Sequence, residues 1–276
     1  MTLVDGTKIA AKRREALASK ISDQRLGLGI IVATANPATH TYIKTKRDAA
    51  EAIGIEVTVK DLGDAATLNV LREACVAFNE DANITGYIVQ LPLPEGIDPL
   101  EVFEAVDPAK DADGLTPTNL GHLYTSRECI VPATPKGILS ILEEHKVPIE
   151  GASVAVVGKG LLTGLPIATM LSHRGATVVS CDKKTADLAS HTKAADIVIA
   201  AAGAPGLITG EMIKEGAVVI DVGITKLEAR TVGDVDFASV EPKAGLVTPV
   251  PGGVGPMTVV SLLENVYELS RRQTVG

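Results

Sequence analysis

A chain of 276 residues with 26 basic and 34 acidic side chains, net charge −8, is too long for one comfortable core and too acidic to track a phosphate backbone. Two domains are expected, and nucleic acid is not an expected partner. Hydrophobic residues make up 46% of the chain but aromatics only 3%, with no Trp, a balance that suits parallel sheets covered by helices on both faces.

Residues 1–21 carry Asp5, Lys8, Lys12, Arg13, Arg14 and Glu15 and no apolar h-region, so they do not read as a secretory signal. No apolar run approaches the roughly 18 residues that span a bilayer. The expectation is a cytoplasmic protein with no membrane partner. A short apolar strand is predicted at 28–33, then a turn-rich 34–38 and a helix ending near 53 at Gly54. A strand at 55–59, a helix at 67–79 and a strand at 84–90 follow. Strands alternating with helices make βαβ units and a parallel sheet. Residues 91–119 are rich in Pro, Gly and Asp and read mainly as loop around one short helix near 98–106.

A linking helix is predicted over 134–146, with Thr134 as cap, Pro135 at its first position and Val147-Pro148 beyond its end. The second α/β stretch has strands at 153–157, 177–181, 197–201, 218–222 and 246–250. A helix runs from 166 to 173, and a last one, over about 257–270, presents Val259, Val260, Leu262, Leu263, Val266 and Leu269 on one face. The expected fold is α/β with two domains. One is an N-terminal βαβ-type domain of residues 1–133, completed by the C-terminal helix 257–276. The other is a Rossmann-like nucleotide domain of residues 147–256.

Tyr42 and Lys46 are four apart on the helix after the first strand and so share a face. In parallel α/β units the site lies beyond the carboxyl ends of the strands. Gln90 ends the third strand at that rim, and Asp113 lies in the loop that follows. The lone amide of Gln90, within Val89-Gln90-Leu91-Pro92, needs partners, and a lysine ammonium is a suitable one. By spacing alone, a packed ring and a solvated amine are the ordinary reading of such a pair, and the surroundings of Gln90 are what favour a functional one. Asp111-Ala112-Asp113-Gly114 lacks the further oxygen ligands of a calcium loop, and Cys75, Cys129 and Cys181 show no CxxC spacing. No metal and no disulfide framework are therefore expected.

Gly158-Lys159-Gly160-Leu161-Leu162-Thr163-Gly164 follows a strand and opens a helix. Its spacing is GxGxxxG, and its context is that of a loop that cradles a pyrophosphate at a helix N-terminus. The next strand ends at Cys181-Asp182-Lys183-Lys184. Pro251-Gly252-Gly253 before the last helix permits close backbone approach, or serves as a rigid hinge. There is no HExxH and no GxSxG, which leaves metalloprotease and serine hydrolase readings without support.

These segments together resemble the bifunctional methylenetetrahydrofolate dehydrogenase/methenyltetrahydrofolate cyclohydrolase family over essentially the whole chain. The resemblance rests on Tyr42-Ile43-Lys44-Thr45-Lys46, residues 87–94, Lys110-Asp111-Ala112-Asp113-Gly114, Thr134-Pro135-Lys136-Gly137, residues 219–224 and residues 251–258. It implies a folate domain, a nucleotide domain with a cleft between them, a homodimer, and a place in one-carbon metabolism and purine biosynthesis. It implies Lys46 as the acid/base residue, Tyr42 stacking on the folate, Gln90 orienting Lys46 and Asp113 binding the pterin. Pro251, Gly252 and Gly253 would join Tyr42 and Asp113 in holding the tetrahydrofolate derivative. The dinucleotide would lie on Gly158, Lys159, Gly160, Gly164, Asp182, Lys183 and Ile224.

The chain departs from the family in three places. The nucleotide loop lacks the Arg-Ser of GRSxxVG, Asp182-Lys183-Lys184 follows the second strand, and residues 33–37 lack a Gly-Asp pair. Asp182 would suit NAD. Lys159, Lys183 and Lys184 would suit the 2′-phosphate of NADP, which is the expected cofactor. The alternatives are an NAD-preferring or monofunctional member, a dehydrogenase of another small acid, and a silent folate- or nucleotide-binding subunit.

Overall fold

The computed structural model of the chain describes residues 1–227 and 230–275. The chain divides into two compact units: residues 12–133 with 259–276, and residues 1–11 with 134–258.

The first unit is built on three parallel strands, β2 (Leu26–Val32), β3 (Ile55–Asp61) and β4 (Gly86–Gln90), in the order β3-β2-β4. β2 is central and every residue of it is buried. That explains its unbroken apolar run, since a strand covered on both faces has no reason to alternate. Helix α2 (Pro37–Glu51) connects β2 to β3. Asn36 caps it, accepting from Ala38 N, and Pro37 stands in the first turn, where a missing N–H costs nothing. Helix α3 (Leu68–Glu80) connects β3 to β4 and is capped by Thr67. The core joins Leu28, Ile30, Ile43, Ile55 and Ile88 to Leu17 and Ile21 of α1 (Gly6–Ile21) and to Leu262, Leu263 and Val266 of α10 (Val254–Val275). Each fully buried aliphatic side chain contributes about 1.5–3 kcal/mol. Arg13 and Glu264 join α1 to α10 through paired hydrogen bonds of 2.9 and 2.7 Å.

The 91–119 segment holds more helix than expected. Besides α4 (Pro99–Phe103), a second helix, α5 (Pro117–Tyr124), starts on Thr116, whose hydroxyl accepts from Asn119 N. The pair Thr116-Pro117 is a helix-start signal that the Pro/Gly density of the segment obscures.

The second unit is a six-stranded sheet in the order β1-β11-β8-β7-β5-β6. Its strands are β1 (Thr2–Leu3), β5 (Ser153–Val157), β6 (Thr177–Cys181), β7 (Ile197–Ala200), β8 (Val218–Asp221) and β11 (Leu246–Val247), every neighbouring pair parallel. Helices α6 (Ala133–Glu144), α7 (Gly164–His173), α8 (Leu188–Ala194) and α9 (Phe237–Val240) belong to this unit, with a short antiparallel ribbon of β9 (Thr225–Leu227) and β10 (Arg230–Val232). The first eleven residues depart from the expected 1–133 grouping because β1 pairs with β11, Thr2 opposite Leu246. A two-residue strand has no local pattern by which to announce a partner so far along the chain. Thr134 also differs from its expected role. The helix already includes Ala133, and the Thr134 hydroxyl accepts a 3.1 Å hydrogen bond from Thr258. Gly276, the last residue of the expected C-terminal helix, lies outside the described residues. No helix among the described residues is long and apolar enough to cross a membrane.

Candidate active site

In the first unit, β2 is flanked by the strand that follows it and by the strand after that, so the chain reverses direction across the sheet between β2 and β4. Loops part at such a point and leave a crevice beyond the carboxyl ends. Gln90 is the last residue of β4, and Val32, opposite it in register, is the last of β2.

Lys46 is 5% exposed and lies on the buried face of α2 with Ile43, Ala49 and Ala50, while Lys44, Thr45, Arg47 and Asp48 are exposed or half-buried. Its Nζ donates a 2.9 Å hydrogen bond to Gln90 Oε1 and lies 4.7 Å from the centroid of the Tyr42 ring. The Gln90 amide group donates to Leu91 O at 2.9 Å, which fixes which end of the side chain faces the lysine. Burial pulls the Lys46 pKa below its ordinary value, and the nearby Asp113 carboxylate partly opposes this. Burial pushes the Asp113 pKa up, with Lys46 opposing and Asp111 reinforcing. Tyr42, Lys46 and Gln90 therefore meet, and the Asp113 carboxylate is near enough for its charge and that of Lys46 to be felt by one another.

The loop that carries Asp113 is held by its neighbours. Asp111, 3% exposed, accepts 2.8 and 2.9 Å hydrogen bonds from Thr116 N and Asn119 Nδ2. Gly114 has φ +68°, and a Cβ there would stand 2.6 Å from Ile130 O. Asn265 of α10 donates to Ala112 O and Val131 O, both at 2.9 Å. Asp111 thus holds the turn, while Asp113 takes no part in those bonds and interacts electrostatically with the lysine. Among the described residues, no group of three or more His, Cys, Asp or Glu side chains could hold a metal ion.

In the second unit the direction reverses between β5 and β7. Gly158, at φ +109°, follows β5, and a Cβ there would stand 2.0 Å from Ala201 O in the loop after β7. Gly164 opens α7, and a Cβ there would meet Gly158 O at 1.9 Å. Between them Gly160 faces open space, and Thr163 precedes α7 without a side-chain cap bond. These are the features of a cradle for a phosphate group: close backbone packing behind, open space in front, and a helix N-terminus aimed at it.

At the end of β6, Lys159 Nζ lies 3.3 Å from Asp182 Oδ2, while Asp182 Oδ1 accepts from Lys184 N at 2.9 Å. The Lys184 amide and the Lys159 ammonium hold the Asp182 pKa below the usual carboxylate value. Lys183 is exposed, and Ile224 is 62% exposed. Gly252 has φ +101°, and Gly253 packs against Pro249 O and Gly6.

Sequence reasoning assigned no role to two buried carboxylates of this unit, Asp221 and Asp234. The signal for the first is an acidic residue inside the apolar strand Val219-Ile220-Asp221-Val222. A charged group in such a place is retained only with partners.

A doubly wound nucleotide-binding unit, joined in one chain to a parallel α/β unit with a buried lysine at its rim, defines a two-domain α/β enzyme of the nicotinamide-nucleotide class. Residues 4–113 match the tetrahydrofolate dehydrogenase/cyclohydrolase catalytic domain, and residues 132–274 match the NAD(P)-binding domain of the same family. The chain is 43% identical to the bifunctional protein FolD of Nautilia profundicola, with 98% of each chain covered. It superposes on the bifunctional FolD enzyme of Campylobacter jejuni with a TM-score of 0.95 at 40% identity, covering 99% of both chains. It superposes equally, at 37% identity, on the Trypanosoma brucei dehydrogenase-cyclohydrolase complexed with NADP and an inhibitor, covering 100% of this chain and 99% of the other. The chain belongs to the tetrahydrofolate dehydrogenase/cyclohydrolase family.

Proposed function

We propose that the protein oxidises 5,10-methylenetetrahydrofolate to the 5,10-methenyl cation with NADP and then hydrolyses that cation to 10-formyltetrahydrofolate. The observation that carries this reading is the buried Lys46, hydrogen-bonded to Gln90, set against Tyr42 and within the electrostatic influence of Asp113.

A lysine serves as a base only when it gives up its proton near neutral pH, and burial has that effect. In the hydrolytic step the neutral Lys46 amine takes one proton from water as the oxygen adds to the methenyl carbon. The adduct's remaining hydroxyl proton passes to N5 as the carbon–N5 bond breaks. The formyl group stays on N10, and one proton is released overall. Gln90 keeps the amine aimed at the reacting carbon, Tyr42 supplies a flat face for the folate, and Asp113 accepts hydrogen bonds from the pterin edge.

The dinucleotide, when bound, supplies the hydride acceptor for the first step. The residues present fit it: Gly158 and Gly164 let the loop pack closely against the backbone behind it, Gly160 leaves open space for a pyrophosphate, and the Lys159–Asp182 pair would lie by the adenosine ribose. An NAD-preferring enzyme is the second reading, favoured by Asp182 at the end of β6, because a carboxylate there repels a 2′-phosphate. The ion pair with Lys159 partly cancels that repulsion, which supports NADP.

Assaying methenyltetrahydrofolate hydrolysis with no nucleotide present, and methylenetetrahydrofolate oxidation with NADP, tests the proposal. Hydrolysis no faster than the uncatalysed reaction, in a folded protein, would overturn it. The family likeness also supports a homodimer, and light scattering that finds a monomer at micromolar concentration would contradict this.

A further inference from the structure

The two buried carboxylates of the nucleotide unit form a relay of hydrogen bonds that ends in an exposed turn. Asp221, the last residue of β8, accepts from Gly223 N at 3.1 Å and Asp234 N at 2.9 Å through Oδ1, and from Val235 N at 3.1 Å through Oδ2. Its own N–H donates to Thr248 Oγ1 at 2.7 Å. Asp234, which is fully buried, uses Oδ2 to accept from Ala202 N at 2.6 Å and Gly203 N at 2.9 Å. Residues 202 and 203, in the loop after β7, are themselves exposed.

The packing leaves no slack. A Cβ on Gly223 would stand 2.2 Å from Asp234 Oδ1, and a Cβ on Gly233 would stand 1.9 Å from Asp221 Oδ2. Asp234 Oδ1 is buried with no hydrogen-bond partner among the described residues. Folded proteins keep few such atoms, and a carboxylate is a costly way to brace an ordinary turn.

The place of this turn suggests its use, on the proposed reading that this unit binds a dinucleotide. The phosphates would rest at the 158–164 loop, and the adenosine half over the end of β6 at Asp182. The other half must then extend across the switch point, over the carboxyl ends of β7 and β8. Those ends carry the Ala202–Gly203 turn and Gly223.

We infer that Asp234, held in its turn by Asp221, is a positioning residue for the nicotinamide half of the dinucleotide. It fixes the turn after β7 and stands behind Gly223 after β8. It never touches the ligand. It sets the backbone against which the nicotinamide must lie for hydride transfer, where misplacement by an ångström is costly.

The test measures three quantities on purified full-length protein: dehydrogenase kcat/KM with NADP, the same with NAD, and nucleotide-free methenyltetrahydrofolate hydrolysis. Asp234→Ala is expected to lower dehydrogenase kcat/KM tenfold or more with both cofactors. The NADP/NAD ratio should stay unchanged because the adenosine end is untouched, and hydrolysis should stay within twofold. Asp234→Asn, whose amide oxygen still accepts from both N–H groups, should recover most of the loss. Gly223→Ala, which pushes on Asp234 Oδ1 without removing the carboxylate, should repeat the Ala phenotype and decides the matter if Asp234→Ala does not fold. Unchanged dehydrogenase activity in whichever of these two variants folds, or a shifted NADP/NAD ratio, would overturn the inference. Failure of the underlying dinucleotide reading shows separately, as wild-type protein that oxidises substrate with neither cofactor.

Discussion

Lys46 of α2 and Gln90 at the end of β4, 44 residues apart in sequence, are joined by a single 2.9 Å hydrogen bond from Nζ to Oε1. The bond gives a buried ammonium one fixed acceptor and leaves its remaining donors directed elsewhere. Truncating either partner therefore has a defined consequence.

Lys46→Met should remove methenyltetrahydrofolate hydrolysis, by at least a hundredfold, in a protein that remains folded. Methionine keeps the length of the side chain and removes a desolvated charge. It leaves the Gln90 oxygen unpaired, at a cost of about 1–3 kcal/mol. Steady-state hydrolysis and circular dichroism on the same preparation check this. Near-normal hydrolysis in the variant would rule out Lys46 as the base.

Gln90→Glu places a carboxylate beside the Lys46 ammonium. Burial lowers the Lys46 pKa, and an adjacent negative charge opposes that, raising it by roughly a unit or more. Lys46 acts as a base only above its pKa, so the rising limb of the hydrolysis pH profile should move to higher pH in the variant. An unmoved limb would mean that the profile reports some other group.

Asp113→Asn should weaken folate binding at least tenfold and impair both activities, while the unfolding midpoint barely shifts. The turn around it is held by Asp111 through Thr116 and Asn119, not by Asp113. Asp111→Ala should do the opposite, costing about 2 kcal/mol of stability by leaving two buried donors unpaired. Chemical denaturation and folate titration of both variants separate the two roles.

Asp221 predicts a pH-dependent stability. Burial, reinforced by the neighbouring Asp234, raises its pKa from 3.8 to about 6 against the pull of three backbone N–H groups. Between those values the folded state holds a proton that the unfolded chain has lost. The stabilisation is complete below the unfolded pKa and is lost as pH rises through about 6. At about 1.4 kcal/mol per pH unit, the loss amounts to about 3 kcal/mol. Asp221→Asn removes this slope. The wild-type stability should therefore fall by about that much relative to the variant between pH 4 and 7, as measured by denaturant unfolding.

Lys159→Ala frees Asp182 from its ion pair and removes a cation from the expected site of the 2′-phosphate. The kcat/KM ratio of NADP to NAD should drop by about tenfold, which corresponds to about 1.4 kcal/mol. An unchanged ratio would place the phosphate contact elsewhere.

The sequence by itself determined the alternation of strands and helices, the existence of two α/β stretches and most element positions. These follow from local periodicity and from punctuation by Gly and Pro, which act over a turn or two of chain. It also named the four polar residues at the rim of the first sheet, because a strand's end and the helix after it share one edge in any parallel unit. Tertiary structure alone decided that Thr2–Leu3 completes the sheet of the second unit, that α5 interrupts the loop after β4, and that Asp111 braces the turn while the charge of Asp113 is felt at Lys46. It alone linked Asp221 to Asp234 and Asp234 to the turn after β7. Such relationships join residues far apart along the chain, and their strength comes from burial and exact placement of partners. Neither leaves a periodic trace in sequence, since an aspartate reads the same whether it is solvated at a surface or holds two backbone amides in the core.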